Sequence, residues 1–234
     1  TVVRHRDVLV VGEVDVVGRV EIELAVAIEV EETGPRAHLV SIGHAGPREI
    51  NLSKYFVEWL ESKERAGGGA WVDEAGYMIS AMIDNLGPVT DVSAFMTQQG
   101  WRDYLKPEIE DNSAAILKFA SGALGVIDSR WGQIGRMPFS QSYHGTEGTI
   151  MQGFEAVRLY SRHDVPADLV GWLEVPVAGQ GFGDPEAAHF VNTVLADGDF
   201  SGIISLEGAR DVQAVIEAGY LSAEQGRAIK LPLP

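Results

Sequence analysis

Apolar residues recur along this chain with two different periods, and the change from one to the other marks out its elements. From Val20 to Val30 every second residue is apolar (Val20, Ile22, Leu24, Val26, Ile28, Val30), the period of a half-buried strand. Glu21, Glu23, Glu29 and Glu31 occupy the other face at its ends, while Ala25 and Ala27 leave the middle of that face flat. Further on the period lengthens: Val72, Ala75, Ile79, Ile83 and Leu86 follow at steps of three and four, which predicts a helix with one core-facing stripe. Gly67, Gly68 and Gly69 permit a sharp turn before it, and Gly87-Pro88 stops it. A second stripe on the same helix, Asp73, Tyr77, Ser80 and Asp84, is polar.

The remaining segments fill in an α+β plan. Arg4–Gly18 reads as a short helix or strand with a turn, and Thr33–Lys54, with its glycines and prolines, as a loop carrying His38 and His44. Tyr55–Glu61 reads as a short helix or turn with an aromatic face. Val89–Gln98 is a strand, and Ser113–Ala120 and Ala123–Arg130, joined at Ser121-Gly122, form a hairpin. Phe139–His144 leads into a glycine turn over Gly145–Ile150, and Glu155–Ser161 and Leu169–Val175 complete the run of strands. The expected sheet is large, open and mostly antiparallel, of about six or seven strands with helices packed on one face. Two helices close the chain: Pro185–Asp197, capped by Asp184, and Leu206–Gly226, capped by Ser205. Phe190, Val191, Val194 and Leu195 are expected to face a core in the first.

Composition narrows the function. With 234 residues, 45% of them hydrophobic, the chain can fill a real core, and it reads as a single domain over 1–234. Eighteen basic against 34 acidic residues give a formal charge of -16, which disfavours nucleic acid and anionic membrane surfaces. Cysteine is absent, so disulfides, thiolate metal sites and thiol nucleophiles are excluded, in keeping with a cytoplasmic protein. The N-terminal residues read as neither a signal peptide nor a membrane span. The chain begins with Thr1 rather than Met, as a fragment would.

The polar stripe carries the chemistry. A carboxylate at Asp73, one turn before the phenol of Tyr77, can orient that hydroxyl, or a substrate's, for proton transfer; an ordinary amphipathic helix with a tyrosine at its rim has the same spacing. A phenol has a pKa near ~10, so Tyr77 needs a neighbouring cation to act as a base near neutrality. The six histidines show no paired ligand spacing, so no metal is expected. Asp73 and Asp84 share a face but sit about 16 Å apart along a helix, beyond the ~10 Å of a glycosidase pair. His44 before the helix is a candidate contact or a solvated side chain, and Trp59 either packs or stacks on a sugar ring.

Four groups of residues resemble one family. Gly67-Gly68-Gly69-Ala70 with Asp73 and Tyr77; Glu110, Asp111, Ala114, Phe119, Gly122, Ala123 and Gly125; Gly145-Thr146-Glu147-Gly148-Thr149; and the Gly226-Arg227 to Pro232 tail together are similar to the second domain of the Gfo/Idh/MocA oxidoreductases. Ala75, Tyr77 and Ser80 stand where that family more often has Gly, His and Asp.

The resemblance implies an NAD- or NADP-dependent oxidoreductase that moves hydride to or from a carbinol carbon of a sugar, polyol or dihydrodiol. Tyr77 is then the acid/base and Asp73 its orienting group, with Trp71, His44, Ser80 and Trp59 as substrate contacts and Gly68 and Gly69 in close approach to the cofactor. It also implies a homo-oligomer formed through the sheet face. The dinucleotide-binding domain is expected to be absent: Gly12–Gly18 and Gly179–Gly183 lack the fingerprint spacing. The family's E-K-P string is missing too, since the Lys-Pro pair here is Lys106-Pro107 after Leu105. The alternative is a stand-alone, non-catalytic carbohydrate-binding or scaffold subunit that partners a separate nucleotide-binding protein.

Overall fold

The computed structural model describes residues 2–5, 8–14, 20–23, 37–45, 58–60, 62–98, 109–131, 137–153, 156–161, 171–176, 185–198, 200 and 205–233. The architecture is α+β. Three short strands, β1 (Val2–His5), β2 (Val8–Val14) and β3 (Val20–Glu23), pair antiparallel as a small sheet of their own. The long alternation from Val20 therefore begins as a strand, as its period requires; its continuation, with Ala25 and Ala27, lies outside the described residues.

Among the described residues the main sheet has nine strands, more than the six or seven read from the pattern. In chain order its strands are β4 (Ala37–Ala45), β5 (Val89–Thr97), β6 (Asn112–Phe119), β7 (Leu124–Arg130), β8 (Met137–Gly145), β9 (Gly148–Gln152), β10 (Ala156–Ser161), β11 (Leu173–Pro176) and β12 (Ile229–Lys230). Their spatial order is β11-β10-β9-β8-β4-β7-β6-β5-β12. Every neighbouring pair is antiparallel except β4 and β7, which run parallel.

β4 corrects the loop expected over 33–54. The glycines and prolines there are turn signals, but within Ala37–Ala45 the chain is extended and hydrogen-bonded on both sides, to β7 and β8. A central strand needs no hairpin of its own; its partners lie far away in sequence.

Among the described residues, besides the helical turn at 58–60, there are four helices: α1 (Lys63–Ala66), α2 (Ala70–Leu86), α3 (Pro185–Leu195) and α4 (Leu206–Gln225). α2 packs on β4, β6 and β7, while α4 packs on β5 and on α2. Strand β6 shows the layering: Ser113, Ala115, Leu117 and Phe119 are buried under the helices, and Ala114, Ile116 and Lys118 are exposed on the opposite face.

The core of α2 is rotated from the expected stripe. Ala75, Ile79 and Leu86 are buried as predicted, but Trp71, Met78 and Met82 join them, while Val72 and Ile83 are only half-buried. The helix is sandwiched between the sheet and α4, so its buried arc is wider than a single stripe. Met82 lies over Gly125 of β7, where a Cβ would approach its sulfur to 2.7 Å.

The closing helix keeps its predicted ends. Ser205 Oγ accepts from the Gly208 backbone N–H at 2.9 Å, and Gly226 ends the helix in the left-handed region at φ 63°. In α3 the expectation fails: Phe190, Val191, Val194 and Leu195 are all more than half exposed rather than core-facing. Phe190 instead meets Phe200, their ring centroids 5.2 Å apart. Asp184, the proposed cap, lies outside the described residues. Among the described residues no helix is long and apolar enough to cross a membrane.

Candidate functional site

The site helix α2 starts where Gly67 takes φ 89°, a conformation that glycine adopts without the Cβ clash other residues would meet. Its first N–H groups have no partners within the helix, as at any helix start. Here one residue satisfies three of them. Glu110 Oε1 accepts from the Gly69 N–H at 2.9 Å and the Trp71 N–H at 3.0 Å, and the Glu110 backbone carbonyl accepts from the Ala70 N–H at 3.1 Å. The same Oε1 accepts the Tyr220 hydroxyl of α4 at 2.8 Å.

This geometry corrects the role expected of Gly68 and Gly69. A Cβ on Gly68 would sit 1.7 Å from the Tyr220 hydroxyl, and one on Gly69 would sit 1.9 Å from the Glu110 carbonyl oxygen. The close approach that these glycines permit is internal. An anion at this helix start is already supplied by the Glu110 carboxylate, so the turn does not offer a cofactor pyrophosphate the row of N–H donors that such sites use. The residues here do not form a dinucleotide cradle.

Beyond its start, α2 is registered by the end of β7. Ser129 Oγ, fully buried, donates to the Ala70 carbonyl at 2.7 Å. Trp131 Nε1 donates to Asp73 Oδ2 at 3.2 Å. The two contacts place the first turn of α2 in both translation and rotation against the sheet.

Apart from the Asp73 contact, the polar stripe lies on the solvent side of the helix. Asp73 and Tyr77, one turn apart, are both exposed, with Tyr77 at 75%. Ser80 is half-buried and Asp84 exposed on the same side. Near Asp84, Tyr143 of β8 accepts from Asn85 Nδ2 at 3.4 Å and donates to Gln141 Oε1 at 3.2 Å. Burial pushes the Tyr143 phenol up from its ordinary range, and the Asp84 charge pushes it the same way.

The other candidates separate. Trp71, expected at the substrate, is fully buried; its indole donates to the Ile216 carbonyl at 3.0 Å and lies against Gly219. No face of that ring is left for a ligand. His44 lies on β4 in parallel register with Ser129 rather than in a loop. Trp59 is 43% exposed and lies in the 58–60 helical turn, with its carbonyl accepting from the Ser62 N–H at 3.1 Å. Sequence reasoning missed Trp131 and the capping role of Glu110. Glu110 sits in the matched Glu-Asp pair, but its partners at the helix start lie 39 and 41 positions away and Tyr220 lies 110 away, and no local pattern shows such contacts.

Residues 36–151 match the family model described as the GFO/IDH/MocA C-terminal domain. Among solved structures, the fold is similar to that of a levoglucosan dehydrogenase in complex with NADH and levoglucosan, at TM-score 0.71 and 22% identity, over 85% of this chain and 60% of that one. It is similar too to an NAD-binding oxidoreductase from Klebsiella pneumoniae, at TM-score 0.70 and 20% identity, over 85% of this chain and 60% of that one. GenD2 from gentamicin A biosynthesis, solved with NAD, matches at TM-score 0.61 and 24% identity, over 84% of this chain and 56% of that one. No curated protein sequence matches it. The chain thus spans about three fifths of the length of the solved proteins it resembles.

Proposed function

Residues 36–151 of this chain belong to the GFO/IDH/MocA C-terminal-domain family, and from that premise we propose that the chain is the substrate-binding domain of an NAD(P)-dependent oxidoreductase acting on a carbinol carbon of a sugar or polyol. One observation carries the reading: an exposed phenol, Tyr77, stands one helical turn after a tethered carboxylate, Asp73, on a helix fixed at its start by Glu110 and Ser129.

In this reading NAD or NADP, held mainly by a dinucleotide-binding domain that these residues do not form, supplies the hydride chemistry. Tyr77 takes or returns the proton of the substrate hydroxyl, and Asp73 orients the phenol or that hydroxyl by accepting a hydrogen bond. Ser80, on the same face, Trp59 and His44 are the remaining candidates for sugar contacts. The solved protein bound to NADH and levoglucosan supports a sugar as substrate class.

The test uses the full-length protein with NAD⁺ or NADP⁺ and a panel of levoglucosan, sorbose, glucose and myo-inositol. Tyr77→Phe should lower kcat by about 10²-fold or more, the size of an acid–base contribution. A kcat within a few-fold of the unsubstituted protein would remove Tyr77 from the chemistry.

Assembly is part of the same proposal. The sheet face opposite the helices exposes Phe95, Ile116, Leu124, Met151, Tyr160 and Trp172, an apolar surface of the kind that subunits cover. A homo-oligomer through this face would replace the Ala25 and Ala27 surface suggested by the pattern. Light scattering on the protein carrying Phe95→Lys and Ile116→Lys should show a smaller particle than the unsubstituted protein.

A further inference from the structure

Asp73 is an exposed carboxylate on a helix surface, and by itself such a side chain samples several rotamers. What reaches it is unusually rigid. Trp131 is only 3% exposed, and its ring lies in a small buried cluster with Leu60, Ala70 and Ile109. Its backbone N–H donates to the Asp111 carbonyl at 2.7 Å, and the Asp111 N–H in turn donates to Thr97 at 3.2 Å. Ring and backbone are both held, so the indole N–H emerges from the core at a fixed point and direction. That point is 3.2 Å from Asp73 Oδ2.

An apolar residue of similar size would fill the same cluster, and burying an indole is favoured where its N–H finds an acceptor. Here the acceptor is a solvent-facing carboxylate one turn before Tyr77. The bond therefore fixes the carboxylate more than it stabilises the core.

We propose that Trp131 is a positioning residue: its indole N–H, anchored in the core, holds the Asp73 carboxylate in the orientation in which it serves Tyr77 and the substrate hydroxyl. The inference rests on the reading of Asp73 and Tyr77 as the acid–base pair.

Trp131→Phe keeps an aromatic ring in the cluster and deletes the donor. In the full-length protein, assayed with NAD⁺ and the sugar of the panel that turns over, this variant should lower kcat by about tenfold or more, as misplacement of a reacting group does, while KM stays within about twofold. Combined with Asp73→Asn it should add nothing to the loss that Asp73→Asn causes alone, because the group it positions is already gone. An unchanged kcat, or an equal loss in both backgrounds, would overturn the positioning role while leaving the acid–base pair intact. If Asp73→Asn and Tyr77→Phe both turn over at the rate of the unsubstituted protein, or no sugar turns over, the acid–base reading itself fails and the proposal falls with it.

Should Trp131→Phe not fold, the indole ¹⁵N–¹H resonance of Trp131 gives a second measurement. It should move between the unsubstituted protein and Asp73→Asn, and an unmoved resonance would overturn the contact on which the proposal stands.

Discussion

The Tyr220 hydroxyl donates to Glu110 Oε1 at 2.8 Å, and through that bond the last helix of the chain reaches the first turn of the helix that carries the candidate site. Glu110 is nearly buried, and its acceptors are shared among Gly69, Ala70, Trp71 and Tyr220. A carboxylate at a helix start is favoured by the helix dipole as well as by its bonds. Three segments of chain meet at this residue.

Glu110→Ala should accordingly cost about 3 kcal/mol or more, since it leaves two N–H groups and a phenol without their acceptor and each such loss costs about 1–3 kcal/mol. Glu110→Gln, which keeps an acceptor and loses the charge, should cost about 1 kcal/mol, the scale of a cap and dipole term. Urea unfolding with an unchanged m-value would measure both. Equal losses for the two variants would contradict the hydrogen-bonded cap.

The same contact sets an alkaline limit. Burial, first, and then the charge and hydrogen bond of Glu110 push the Tyr220 phenol far above its ordinary range. The folded state then holds this proton more tightly than the unfolded chain, whose tyrosines titrate near pH ~10. The stabilisation is fully present below about pH 10 and is lost as pH rises beyond it. Tyr143, also raised, contributes in the same direction. Tyr220→Phe should lower stability near neutrality by about 1.5–3 kcal/mol, the value of a hydrogen bond to a charged group. It should also flatten the decline above pH 10, as read from urea midpoints across a pH series.

How much of this was legible depends on the range of the interactions. The helix over Ala70–Leu86, the β6–β7 hairpin with Gly122 at φ 87°, and the Ser205 cap all follow from residues within a few positions of each other, and each was readable from spacing. β4 was hidden because a strand paired in parallel with β7 has no turn chemistry to announce it. The buried arc of α2 was misplaced because α4 packs over Trp71, and no periodicity within α2 encodes that neighbour. In the candidate site, the Asp73–Tyr77 pair is a spacing and was visible. Its supports, Glu110, Ser129 and Trp131, are contacts across 39 to 59 positions and were not.

The glycines provide a sharper test of the internal cap. At Gly69 the obstacle to a Cβ is backbone, the Glu110 carbonyl, and nothing there can give way. Gly69→Ala should exceed about 3 kcal/mol, the upper range for overpacking. At Gly68 the obstacle is the Tyr220 side chain, so Gly68→Ala should be partly rescued in a Tyr220→Ala background, measured as a double-mutant cycle. Rescue of Gly69→Ala by the same background would mean that the two glycines are held by something other than these contacts.

Two tryptophans separate packing from binding. Trp71 is fully buried and bonded to Ile216, so Trp71→Phe should lower stability by about 1–3 kcal/mol through the lost indole bond and the altered ring volume. In the full-length protein it should leave KM for the sugar within about twofold, because uniform binding is not touched. Trp59 is 43% exposed, and if it stacks on a sugar ring, Trp59→Ala should raise KM severalfold while stability changes by no more than about 0.5 kcal/mol, as for a surface substitution. Thermal melts and steady-state kinetics on the two variants would read both effects. The opposite assignment, with KM moving in Trp71→Phe and stability alone moving in Trp59→Ala, would require the start of α2 to open when substrate binds, against the hold of Glu110 and Ser129 on its first turn.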